Sequence, residues 1–449
     1  MRLGACAAVA LALAACSLGA SGSSVGQPPA INDVDQALNA MRNAKNGRLS
    51  NDHELGTIST ASTAGRFDTG NPFFRALGTS GRACVTCHTP AAGWSLSATV
   101  AQARFRATGG RDPLFDPSDG ANSPELVASC LQTKADPYSL VLDKGLIRIE
   151  ERLSADSGFV VAAVDDPDRY ATASRLSLYR RPLPAANLRF EQAVMWDGRN
   201  TLPSGSLPDE LGAQARDAAL THAGTPSLPD DVASAIVAFE SSLVTAETQD
   251  KEAGALDTPE GQSTLDRLAK PPPSGASETG LDVFNGWLGE PQGSARQAIA
   301  QGEAIFNRRT FKLVDVAGFP GTDGHTAVNT TCRGCHTVLN AGASSGPLFM
   351  ATGLADAAAR TPDLPLYTLR KLATGETLRT TDPGRALVTG RWDDIGKFKV
   401  PGLRGLAARP PYFHNGSAAT ARPRISRMWS TSTRATRTCG SPLRKKRTS

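Results

Sequence analysis

Side chains able to ligate a metal are scarce in this chain. Its 449 residues include 6 histidines, 5 methionines and 8 cysteines, and aromatic residues make up only 6%. Any metal or redox centre must therefore be assembled from a short roster. Long apolar runs are lacking too: beyond residues 3–15 no stretch is long enough to span a bilayer. Acid is missing from one place in particular, since residues 421–449 hold nine arginines and lysines and no aspartate or glutamate. The net charge of +5 thus belongs to the tail and the rest of the chain is net acidic, so nucleic-acid binding is not expected. Strand-like alternation is sparse as well, which predicts a mostly α fold.

The N-terminus reads as an export signal. Arg2 precedes the apolar run, which is too short for a membrane span and ends Leu13-Ala14-Ala15-Cys16. That ending resembles a bacterial lipobox. Residues 1–16 are then a lipoprotein signal peptide, with Cys16 lipidated as the first mature residue. A plain signal peptide cut slightly later is the alternative. Either reading exports the chain to the periplasm, and Ser17 after the cysteine points to an outer-membrane anchor.

Two strings carry the chemistry: Cys84-Val85-Thr86-Cys87-His88 and Cys332-Arg333-Gly334-Cys335-His336. Cys-x-x-Cys-His is the attachment signature of a c-type haem, in which both thiols add across porphyrin vinyl groups and the histidine ligates the iron. On composition alone one such string arises roughly 0.002 times in a chain like this. The rival readings are a zinc ribbon and a dithiol redox pair, neither of which needs a histidine directly after the second cysteine. Two covalent haems are expected, held by Cys84, Cys87, Cys332 and Cys335, with His88 and His336 on the irons. With Cys6 in the signal and Cys16 lipidated, only Cys130 and Cys439 remain, so disulfides do not stabilise the fold.

Punctuation divides the chain into a tether (17–30), an N-terminal haem domain (31–250), a linker or excursion (251–294) rich in Pro, Gly and Ser, and a C-terminal haem domain (295–420). Asp230 is a plausible N-cap for a helix with Val232, Ile236, Phe239 and Leu243 on one face. A second helix is expected near 295–307, with Ala298, Gly302 and Ile305 sharing a face.

Further strings carry a family resemblance. Trp196-Asp197-Gly198-Arg199 lies between the haem motifs. Lys399-Val400-Pro401-Gly402-Leu403-Arg404-Gly405-Leu406 runs into Pro411-Tyr412-Phe413-His414-Asn415-Gly416-Ser417. In that order and over roughly 55–420, the chain resembles the bacterial dihaem cytochrome c peroxidases and the related MauG enzymes. The resemblance implies two cytochrome-c-like haem domains in tandem. It makes His88 the proximal ligand of a peroxidatic haem, His336 that of an electron-transfer haem, and Trp196 the bridge. Gln214 matches a glutamine lining the peroxide pocket. It also implies reduction of hydrogen peroxide to water by electrons from a small periplasmic cytochrome c or cupredoxin. A MauG-like oxidation of a protein or organic substrate is the alternative, and a pure dihaem electron carrier a third reading.

The chain departs from that pattern in four places. Gly224 stands where the family has a catalytic glutamate, leaving His222 as the nearest titratable group for acid–base work near neutral pH. Arg104 replaces the histidine that caps the peroxidatic iron, and with Arg106 it is expected as a pocket cation or a surface charge. Arg180-Arg181-Pro182 replaces the asparagine of an interdomain calcium site, which counts against calcium. Met428 sits at the spacing of the second haem's methionine ligand, but in the aberrant basic tail (421–449). The codons for Met428-Trp429-Ser430, read from the third base, spell Val-Val at the start of a string like the family's last helix. That points to a reading-frame shift upstream of Met428.

Overall fold

The computed structural model describes residues 34–129, 135–202, 204–256, 265–266, 283–314, 316–319, 327–336 and 348–417. The signal and tether (1–30), Cys16, Cys130, most of the 251–294 excursion, Met428 and the basic tail lie outside the described residues. Beyond Ala30 the chain forms one unit. None of its described helices is long and apolar enough to cross a membrane.

The expectation of a mostly α fold is overturned. Among the described residues helix accounts for 35% and strand for 20%, with the strands in five antiparallel sheets. The fold is mixed α/β. The largest sheet runs Arg48–His53, Gly56–Ser62, Leu243–Asp250, Gly254–Ala255. A second joins Thr377–Thr380, Leu366–Lys371 and Phe159–Asp165, so a strand from the first half of the chain pairs with one from the second. Three two-stranded ladders complete the set: Ile147–Glu151 with Leu176–Arg180, Phe311–Leu313 with Val328–Thr330, and Phe349–Met350 with Phe398–Lys399.

Two of these strands escape the alternation test because both of their faces are covered. Leu176–Arg180 is buried at every position, and Gly56–Ser62 at all but one. Period-two hydrophobicity appears only when one face meets water. Gly56–Ser62 is moreover built of small polar residues whose hydroxyls satisfy one another: Ser59 with Thr248 at 2.7 Å, Ser50 with Ser59 at 2.8 Å, and Thr60 donating to Thr245 at 3.3 Å. Buried hydroxyls paired in this way incur little desolvation cost, yet leave no apolar signature.

The core around the first motif packs Phe73, Phe74, Val85, Trp94, Ile236 and Phe239. Phe239 comes from helix Asp230–Ser242, which begins one residue earlier than expected: Pro229 occupies the cap position and Asp230 the first turn. Its buried face is Ala233, Ile236, Val237, Phe239 and Glu240, while Leu243 already belongs to the following strand. Helix Ala295–Arg308 likewise buries Ala300, Gly302, Glu303 and Phe306, a face rotated from the expected one, and is capped by Ser294.

Candidate functional site

The first motif forms a single helical turn, Cys84–Cys87, closed by the His88 N–H donating to the Cys84 carbonyl at 3.0 Å. At its start the Ala83 N–H donates to Thr86 Oγ1. Arg104, expected as a pocket cation or a surface charge, is neither. It is buried, donates to the Thr86 carbonyl at 2.5 Å and forks onto the two oxygens of Asp112, bracing the turn from outside the cavity. Arg106 is exposed.

Cys84, Cys87 and His88 line one cleft, together with Trp196, Gln214 and His222. Its open space is about 1400 Å³ including the mouth, and Phe73, Leu77, Ile147, Leu188, Leu211 and Ile236 give it apolar walls. Trp196, Gln214 and His222, all distant from Cys84–His88 in sequence, thus meet around the first motif. The His88 imidazole donates from Nδ1 to the carbonyl of Trp94 at 3.1 Å. A carbonyl can only accept, so this bond places a proton on Nδ1, as behind a ligating histidine, and the Leu183 backbone also bonds the ring. Trp94 is itself fixed by its indole N–H on Thr60 Oγ1 at 2.9 Å.

These features fit a c-type haem. Burial pushes the Cys84 thiol up to about 12 and that of Cys87 to about 11, so both keep their protons near neutral pH. Thiol–disulfide exchange runs on thiolates, which disfavours a dithiol redox pair. The two cysteine pairs also sit in different cores. Cys84 lies against the Phe73–Phe239 cluster, whereas Cys335 packs with Phe319, Met350 and Val400, its Sγ 3.9 Å from the Met350 Sδ. They do not converge on a four-ligand site. At the second motif the His336 N–H donates to the Cys332 carbonyl at 3.0 Å, the same closure as in the first.

Opposite the thiols runs helix Leu207–Ala218, extended by the π-helical turn Ala219–Ala223. Gln214, Ala218 and His222 are spaced four apart, so all three face the cavity, and alanines 215, 218 and 219 leave room for a flat group. His222 donates from Nδ1 to Asp119 Oδ2 at 2.5 Å. Asp119 also pairs with Arg82, which in turn donates to the Pro113 and Leu114 carbonyls. Burial alone would raise the Asp119 carboxyl, but the His222 hydrogen bond and the Arg82 charge outweigh it and hold it below the usual range. An imidazole oriented by a fixed carboxylate, with Nε2 left open, is built for proton transfer. At Gly224, where the resemblance puts a glutamate, φ is +72° and a Cβ would lie 2.5 Å from Thr79 Oγ1. A side chain there would need a strained left-handed backbone and a shift of Thr79.

Trp196 lies between the cavity and the second half of the chain. Its indole N–H donates to the Arg181 carbonyl at 2.8 Å, and its ring meets His414 edge-on at 6.2 Å. His414 stacks on Phe398 at 3.8 Å, and Phe398 pairs across the ladder with Met350, the neighbour of Cys335. Burial pushes His414 down to about 4, so it is a neutral ring in this row. The Trp196-Asp197-Gly198-Arg199 string has a local cause. Asp197 is fully buried between Arg180 (2.6 Å) and Arg199 (2.7 Å), and a Cβ on Gly198 would strike the Phe349 ring at 2.4 Å.

No protein-family model matches this chain, and no curated protein does.

Sequence reasoning passed over Glu240, a cavity-lining carboxyl on the apolar face of helix Asp230–Ser242. Its Oε1 is buried without a hydrogen-bond partner among the described residues, and burial raises its pKa from 4.5 to about 8. The signal available was an acid four residues after Ile236, on the buried stripe. Because the native state keeps this proton longer than the unfolded chain, its contribution to stability is complete at low pH. It is lost progressively as pH rises from about 4.5 to about 8. Glu240→Gln is expected to flatten that decline and raise stability at pH 8 by on the order of 3 kcal/mol. Chemical denaturation of both proteins across the interval checks this, and parallel slopes would refute it.

Proposed function

We propose that the chain is a periplasmic two-haem peroxidase that reduces hydrogen peroxide to water with electrons from a small cytochrome c or cupredoxin. The reading follows the resemblance to the dihaem cytochrome c peroxidases. The observation that carries it is the meeting, in one apolar cavity, of Cys84, Cys87 and His88, held at Nδ1 by the Trp94 carbonyl, with His222 oriented by Asp119. Haem bound there would supply the redox chemistry that cleaves the O–O bond.

The chain's own residues do the rest. Cys84 and Cys87 hold the ring, and His88 holds its iron. His222 Nε2 takes the proton from the near peroxide oxygen and returns it to the departing one, while Asp119 stabilises the imidazolium in between. Gln214, on the same helical face, orients peroxide by hydrogen bonding. With two further protons and two electrons, both oxygens leave as water. Trp196, His414 and Phe398 line the way from the Cys335 region to the cavity, and His336 holds the iron of the haem that relays the electrons.

Pyridine haemochrome stoichiometry on the denatured chain is expected to return two haems. Peroxide turnover with a reduced cytochrome or cupredoxin is expected to exceed turnover on organic substrates. One haem or none, or turnover confined to organic substrates, overturns the reading.

A further inference from the structure

We propose that Arg181 is a carboxylate-binding residue of this cavity and holds a propionate of the haem attached at Cys84 and Cys87. The inference rests on the cavity taking haem. Arg181 lines the cavity and is buried, at 4% exposure. Its guanidinium donates from Nη1 to the Arg409 carbonyl at 2.6 Å and from Nη2 to the Leu96 carbonyl at 2.7 Å. Both acceptors are neutral, and no carboxylate pairs with Arg181 among the described residues.

The cations around it are provided for differently. Arg180 is matched by Asp197 and Asp382, Lys399 by Glu191, and Arg82 by Asp119. Arg409, the neighbour whose carbonyl Arg181 holds, adds a second buried guanidinium. It donates to the Gly402 and Arg404 carbonyls and leaves its Nε without a partner. Tyr412 is the other titratable group facing Arg181. Burial, reinforced by the Arg409 charge, brings Arg181 down only to about 9, so it remains a cation at neutral pH.

A buried, protonated guanidinium is costly unless an anion meets it. The described residues present none here, and an anion brought by the ligand would meet it. A flat, largely apolar group bearing carboxylates satisfies both the walls and the charge, and the planar guanidinium fork matches a carboxylate in geometry.

The test is the reduction potential of the haem in this cavity, measured as a function of pH on the two-haem protein. In the wild type the propionate is ion-paired and stays ionised, so it adds nothing to the slope that Glu240 gives the potential towards pH 8. Arg181→Met should shift the potential to lower values, because a cation favouring the reduced state is gone, and add a second pH-dependent step below the Glu240 one. Arg181→Lys should stay near the wild type. Two attached haems with unchanged potential and slope in Arg181→Met overturn this inference alone, whereas a chain carrying haem only at Cys332 and Cys335 overturns the proposed function instead. If Arg181→Met fails to hold its haem, the wild type decides. Redox-difference infrared spectra with ¹³C-labelled propionate carboxyls should show no carboxylic acid C=O band, and its appearance on reduction refutes the ion pair.

Discussion

His222→Leu is expected to lower peroxide turnover by roughly 10²–10⁴-fold, the usual weight of a positioned acid–base group, while both haems stay attached. The attachment chemistry belongs to Cys84, Cys87 and His88 on a different element, and leucine fills most of the imidazole's volume on the turn Ala219–Ala223. What the variant loses is the proton acceptor at Nε2. Asp119→Asn should lower turnover by a smaller factor. The imidazole would keep an acceptor for its Nδ1–H but lose the charge that stabilises its protonated form, in a site where Asp119 is 6% exposed. Steady-state kinetics with haem quantitation on each variant checks both. Wild-type turnover by a fully loaded His222→Leu protein would remove His222 from the mechanism and leave Gln214 as the only polar group of that helical face in the cavity.

The two Cys-x-x-Cys-His strings are legible because the haem chemistry proposed for them demands contiguity: two thiols would have to reach one macrocycle and the adjacent histidine its metal. Gln214 and His222 were legible only through resemblance and elimination. Their common face becomes visible once helix Leu207–Ala218 is known to continue through a π-helical turn. The partner that gives His222 its role, Asp119, lies 103 residues away and belongs to no recognisable string. Arg181 was noticed for what it replaced, but its meaning depends on an absence of carboxylates that only three dimensions reveal. The sheets failed to register for a physical reason. Strands such as Leu176–Arg180 are covered on both faces, and Gly56–Ser62 is stabilised by hydroxyl pairs, so neither writes a period of two into the chain. Arg104 was misjudged because a buried arginine and a surface arginine look alike until Asp112 is seen beside it.

The haem held by His88 is expected to lack a sixth protein ligand in the resting oxidised enzyme, so that peroxide reacts without prior reduction. In those dihaem peroxidases that carry a capping histidine, a loop must first move to free the iron. Here that position is Arg104, which lies outside the cavity, is locked onto Asp112 and Thr86, and as a guanidinium offers no lone pair. Of the lone-pair side chains on the cavity wall, Glu240 is kept protonated by burial near neutral pH and Glu191 is held by Lys399, which leaves Met195 and His222 as rivals. Met195 sits at φ +65° in the tight turn before Trp196, with its side chain against the Val194, Leu211 and Val237 cluster. His222 is tied at Nδ1 to Asp119, and Asp119 is tied to Arg82, so the imidazole has little slack to swing onto an iron. Electron paramagnetic resonance of the oxidised protein should therefore show one high-spin ferric signal, and rapid mixing with peroxide should show no lag. Two low-spin signals, with a lag abolished by reducing the second haem, would mean that a side chain caps the iron. If His222→Leu then converted one of those signals to high spin, the cap would be His222 itself, and its part in proton transfer would have to follow its release from the metal.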